Sequence, residues 1–231
     1  MTDRDAVALD DPVGQSLRGH HAHLARALGR AASYLPDVAT FSSVSTDPGE
    51  AGWTDLARLL GRGAFADMFN CPATPPDWEP VFTLEGLQMV GPAGCRPGHA
   101  QGATGVVELG PGDVPEMLDL TARTQPGPFW PRTHELGTYV GIRENGTLVA
   151  MAGERLRPPG WTEISAVCTA PEARGRGHAT RLIRVLTARI TARDERPFLH
   201  VSAANTSAIA LYKQLGFEVR KQVTFRGFQT P

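Results

Sequence analysis

The segment Arg174-Gly175-Arg176-Gly177-His178-Ala179 joins a β-rich run to a helical one. Glycines at such a junction let consecutive backbone N–H groups converge on an anion without Cβ atoms in the way, and the helix dipole adds to the attraction. The guanidinium forks of Arg174 and Arg176 can reach the same oxygens. The chemistry on offer is a cradle for a phosphate or diphosphate. Spacing separates the nucleotide loops that share this logic. The form GxxxxGK[ST] is excluded, because the chain has no Gly-Lys dipeptide. A dinucleotide fingerprint GxGxxG would need glycine where Thr180 stands, so that match is weak. The form R-x-x-G-x-A is met by Arg174, Gly177 and Ala179.

Other candidate chemistry is thinner. His20, His21 and His23 have no acidic or cysteine partner at ligand spacing, so no metal site is expected. Cys71, Cys95 and Cys168 are odd in number and far apart, and they form no CxxC, which points to reduced thiols. Cys168 has no base near it in sequence and reads as a small buried residue, not as an acyl-carrying nucleophile. Arg181, Arg184, Arg189 and Arg193 spread around a helix without interleaved aromatics, so nucleic acid is not expected as a partner.

The elements that must hold the loop lie in a chain of 231 residues with 41% hydrophobic side chains, 23 basic and 24 acidic groups, and no repeat, which excludes disordered and fibrous classes. No stretch approaches the ~18 apolar residues needed to cross a bilayer. The acidic start Met1-Thr2-Asp3-Arg4-Asp5 is unlike a signal peptide. A cytoplasmic protein without membrane partners is expected. Charge is uneven: residues 1–159 hold 12 basic and 19 acidic groups, and residues 160–231 hold 11 basic and 5 acidic. The positive field around the loop suits an anionic ligand.

In the first half, helices are predicted over 20–35 and 54–69, a proline-rich loop over 70–80, and a strand or short helix over 81–90. The glycine-rich run 91–105 is taken as a domain boundary, separating a partly helical N-terminal region, 1–103, from a second domain, 104–231. Beyond it, strands are predicted at 106–109, 137–143, 147–156, 161–169, 198–203 and 217–228. Helices are predicted at 114–123, 179–193 and 207–215. Asp113 is placed to cap the first of these helices, Asn145-Gly146 marks a hairpin, and Gly216 stops the last helix. The order β-α-β-β-β-α-β-α-β implies a mixed α/β sheet.

Two motifs then converge. R-x-x-G-x-A at 174–179 resembles the cofactor signature of the GNAT acetyltransferase superfamily. The block Asn205-Thr-Ser-Ala208-Ile-Ala-Leu-Tyr212-Lys-Gln-Leu-Gly-Phe217 resembles its second motif, N-x-x-A-x-x-L-Y-x-x-L-G-F. The resemblance runs over about 104–228 and is nearest to the C-terminal domain of glycine N-acyltransferases. By analogy, 1–103 has the length for a degenerate copy of the same fold. The resemblance implies a central sheet splayed between two parallel strands, with acetyl-CoA as co-substrate lying in the split. Val167, Cys168 and Thr169 would pair with the pantetheine amides, and Arg174, Gly175, Arg176, Gly177, His178, Ala179 and Thr180 would hold the diphosphate. Asn205 and Ala208 would also border the cofactor. Glu163, 11 residues before Arg174, would be the general base, and Tyr212 would protonate the departing thiolate. An alkyl amine with pKa near 10.4 is almost wholly ammonium at pH 7 and needs such a base.

The implied activity is transfer of an acetyl group to a primary amine of a small molecule or amino acid. A non-catalytic acyl-CoA sensor is the competing class, and a homodimer is left open. The acceptor is expected to lie against residues 114–136 and 217–228, with Phe129 and Trp130 of segment 125–132 as apolar wall.

Overall fold

The computed structural model describes residues 7–45, 47–71, 73–92 and 104–231. The boundary placed over 91–105 therefore lies largely outside the described residues, as does Cys95.

Before residue 93 the chain forms α1 (Pro12–Arg18), β1 (Ala25–Leu28), β2 (Ala31–Tyr34), β3 (Phe41–Val44), α2 (Gly49–Leu60), β4 (Phe65–Phe69) and β5 (Glu79–Val90). Two helical expectations fail here. Residues 20–35 make only a short 3-10 turn and then a hairpin, because Gly29 takes a left-handed φ of 54° and reverses the chain. All four residues of β2 are buried, so the strand lacks the alternation that would have marked it. The helix expected over 54–69 ends at Leu60, where Gly61 (φ 96°) and Gly63 (φ 68°) turn the chain into β4. Residues 81–90 belong to a strand, β5.

After residue 103 the order is as expected: β6 (Val106–Leu109), α3 (Val114–Thr124), β7 (Tyr139–Glu144), β8 (Thr147–Glu154), β9 (Trp161–Thr169), α4 (His178–Thr191), β10 (Arg196–Ser202), α5 (Thr206–Gln214) and β11 (Glu218–Gln229). Asn145 (φ 51°) and Gly146 (φ 84°) make the β7–β8 turn. Asp113 does not cap α3. Its carboxylate accepts from the Gly110 N–H at 2.8 Å and pairs with Arg143.

The strands join into one mixed sheet in the order β1-β2-β3-β4-β11-β5-β10-β9-β8-β7-β6. β5, from the first half, lies antiparallel between β10 and β11 of the second. The main core is packed by Met117 and Leu120 of α3, Leu182, Ile183, Leu186 and Ile190 of α4, and β8 residues Leu148 to Ala152. β9 and β10 are parallel neighbours only from Trp161↔Arg196 to Glu163↔Phe198. Past that point they part, although β9 runs to Thr169 and β10 to Ser202. Among the described residues, no strand pairs with the β10-facing edge of β9 from Ile164 onward. No helix among the described residues is long and apolar enough to cross a membrane.

Candidate active site

The parting of β9 and β10 opens a cavity of about 920 Å³ that runs through the molecule from the start of α4 to the face of β3, β4 and β11. Its two ends are built differently.

At the α4 end, Gly175 (φ 79°) and Gly177 (φ 76°) both adopt left-handed backbone, and a Cβ at either would point into open space. Space is available, so glycine is required there by conformation and not by crowding. Gly177 is the N-cap of α4 and supplies no side-chain cap, which leaves the first-turn N–H groups of His178, Ala179 and Thr180 to other partners. Among the described residues, the buried Nδ1 of His178 also has no hydrogen-bond partner, and its Nε2 lies 3.1 Å from Glu144. Uncapped amides, an orphaned imidazole nitrogen and Arg174 at the rim fit a diphosphate. Arg176 is placed elsewhere. It is absent from the cavity wall because its guanidinium is turned to the Glu144 carboxylate (2.6 Å) and to the Glu172 carbonyl.

The middle of the cavity is lined by Val167, Cys168 and Thr169 on one side and by Asn205, Ala208 and Tyr212 on the other. Register slips between β8 and β9 across residues 165–168, where Ala166 takes a left-handed φ of 52°. Such a bulge bends the strand and re-aims its groups, here into the gap. Burial pushes the Cys168 thiol up, so it stays protonated and is no nucleophile. Asn205 caps α5 through its Oδ1, which accepts from the Ala208 N–H at 3.1 Å. Tyr212 is nearly buried, and burial pushes its hydroxyl up to about 12. It keeps its proton at neutral pH and can donate a hydrogen bond into the cavity.

At the far end the charged groups are buried. Glu163, expected as general base, is fully buried and does not line the cavity. Arg155 grips its carboxylate with Nε and Nη2 at 2.8 and 2.6 Å, and the His200 Nδ1–H donates to it at 2.7 Å. Burial opposes ionisation, but Arg155 and His200 outweigh it and hold the carboxyl at about 2. A carboxylate so weakly basic, with its oxygens taken, does not suit proton abstraction from an amine. The correction follows from packing: residue 163 is the last pair of the β9–β10 ladder, inside the sheet and before the gap opens.

Arg155, His200 and Asp67 reach the cavity instead. Burial lowers the His200 imidazole against the raising effect of Glu163, and Gln88 Nε2 sits 3.1 Å from its Nε2. Burial raises the Asp67 carboxyl, opposed by the Thr40 hydroxyl, which donates at 2.7 Å, and by Arg155. Phe41, Phe82, Leu84 and Phe225 complete this end. Of the segment expected to cover the acceptor, Gln125 to Pro128 line the cavity, whereas Phe129 packs edge-on against Tyr139 and Trp130 stands outside it. Asp67, Arg155 and Phe41 went unread in the sequence. They belong to no motif, and only strand order brings them together.

The chain matches the FR47-like protein family over residues 139–226. A protein of Novosphingobium aromaticivorans, described as an acetyltransferase of the GNAT family and known from a crystal structure, is 38% identical, with 97% of this chain and 99% of that one covered and a TM-score of 0.84. An uncharacterized Mycobacterium leprae protein is 31% identical over 230 residues, 90% of this chain and 63% of its own. The N-alpha-acetyltransferase RimI of Mycobacterium tuberculosis is 41% identical over 83 residues, 35% of this chain and 51% of its own. The chain thus spans less than two thirds of the length of these two curated relatives.

Proposed function

Since the chain belongs to the GNAT family of acetyltransferases, we propose that it transfers the acetyl group of acetyl-CoA to a primary amine within a ternary complex. The observation that carries this reading is the continuous cavity, which joins the uncapped start of α4 to buried charged groups through the split in the sheet.

Acetyl-CoA supplies the activated thioester, and the chain's own groups do the rest. The first-turn amides of α4, with Gly175, Gly177 and Arg174, bind the diphosphate. The strand-free edge of β9 at Val167 to Thr169 offers main-chain donors and acceptors to the pantetheine amides, as an added strand would meet them. The Val167 N–H, turned by the bulge, stabilises charge on the thioester oxygen during attack. The nitrogen lone pair forms the new C–N bond, the C–S bond breaks, and Tyr212 donates a hydrogen bond to the departing sulfur. The thiolate then takes a proton shed by the nitrogen. Glu163 is a positioning residue: it fixes Arg155 and His200 and leaves proton removal to another group.

Calorimetric titration with acetyl-CoA and NAD, followed by thiol detection of CoA released in the presence of an amine panel, tests the reading. Binding of acetyl-CoA with amine-dependent thiol release is expected. Binding of NAD without acetyl-CoA would overturn it.

A further inference from the structure

The far end of the cavity holds two groups of opposite charge that do not pair with each other. Asp67 is 5% exposed, lies on β4 beside Phe41 of β3 and opposite Gly227 of β11, and uses Oδ2 for Thr40. Arg155 stacks over the Phe41 ring, 5.1 Å from its centroid, and uses Nε and Nη2 for Glu163. Among the described residues, no hydrogen bond takes the remaining Asp67 Oδ1 or the remaining Arg155 Nη1. The two side chains feel each other's charge but form no salt bridge. A buried carboxylate without a cationic partner is costly, and a protein keeps one where a ligand completes it. The same holds for the open edge of a guanidinium.

We propose that Asp67 and Arg155 together bind a zwitterionic acceptor, an α-amino acid with a large apolar side chain, with its ammonium on Asp67 and its carboxylate on Arg155. This rests on the acetyl-transfer reading above and gives that reaction its missing proton acceptor. The ammonium passes one proton to the Asp67 carboxylate, and the freed lone pair attacks the thioester carbonyl. After collapse the protonated Asp67 returns its proton to water. Desolvation makes Asp67 a stronger base than an ordinary aspartate, in contrast to Glu163, whose oxygens are already satisfied. Phe41, Phe82, Leu84 and Phe225 bound the same end, which favours an apolar side chain over a small or charged one. A simple alkylamine would leave the Arg155 edge unmatched. A protein N-terminus has no α-carboxylate and would do the same.

The test uses the full chain with L-leucine, L-phenylalanine and glycine, the amides of the first two, and 2-phenylethylamine, reading thiol release. The amides keep the amine and remove the carboxylate charge, so they examine Arg155 without disturbing its pair with Glu163. The free acids are expected to exceed their amides and 2-phenylethylamine by at least about tenfold in kcat/KM, and to exceed glycine. Asp67→Asn, which is isosteric, is expected to lower kcat/KM for the acids by about a hundredfold or more while acetyl-CoA affinity, which also reports folding, stays unchanged. Equal rates on acids and amides, preference for amines lacking a carboxylate, no amino acid accepted by a protein that binds acetyl-CoA, or an unaffected Asp67→Asn variant would each overturn the proposal. Failure of the wild-type protein to bind acetyl-CoA would instead overturn the reading on which it rests.

Discussion

The two ends of the cavity solve opposite problems. The α4 end offers main-chain amides at the surface, held by two glycines and a helix start within one short stretch of sequence. The far end offers side chains in the interior, gathered from β3, β4, β5, β10, β11 and Arg155, the residue after β8. Backbone recognition tolerates change in most neighbouring side chains but no change in φ. Side-chain recognition in a low-dielectric interior tolerates neither lost charge nor lost partner. The two ends should therefore respond to mutation in different currencies, affinity at one and stability or turnover at the other.

The largest effect is expected at Glu163. Glu163→Gln leaves Arg155 buried without its counter-charge and should cost about 3–5 kcal/mol in urea unfolding. The pair also sets an acid limit. The folded carboxyl sits near 2, below its unfolded value of about 4.3. Its contribution is thus present above pH ~4.3 and lost as pH falls toward ~2. The stability of the variant should fall less steeply across that window. A variant as stable as wild type at pH 7 would remove the contrast between the ends.

Next comes Gly177→Val. A β-branched residue at φ 76° costs about 1–3 kcal/mol locally, so acetyl-CoA should bind roughly 5- to 150-fold more weakly by calorimetry, with global stability changed less than in Glu163→Gln. Tyr212→Phe removes only a hydroxyl. It should lower kcat about tenfold with the affinity for acetyl-CoA retained, and a loss confined to affinity would make Tyr212 a wall residue. Asp67→Asn, apart from its kinetic effect, should raise the thermal midpoint slightly. A carboxyl whose folded pKa is raised lowers stability once pH exceeds its unfolded pKa, and the amide removes that liability. The smallest effect belongs to Arg176→Ala. Its guanidinium serves an exposed pair with Glu144, so acetyl-CoA affinity should stay within about a factor of two.

The same contrast explains what could be read in advance. Gly175, Gly177, Asn205 and Tyr212 fall at fixed spacings because a loop, a helix cap and one helix face impose them locally, and alternating strands and helices after residue 105 follow from short-range periodicity. Ala31 to Tyr34 misled, because a strand covered on both faces has no alternation to show. Glu163 was legible as a residue but not as a role. Its offset from the loop says nothing about Arg155 eight positions earlier or His200 on the neighbouring strand. Asp67 and Phe41 were invisible because their meaning depends on which strands become neighbours, a property of pairing at long sequence separation.

β5 carries a practical consequence. It is a wedge contributed by one half of the gene product to a slot in the other, hydrogen-bonded along both margins. A polypeptide begun at residue 104 would keep both recognisable motifs yet leave β11 unpaired on both margins and β10 on one, an invitation to self-association. Exchanging the first half between homologues to test the proposed acceptor site would likewise transplant a structural keystone. Such chimeras should be judged first by solubility, and only then by the amines they accept.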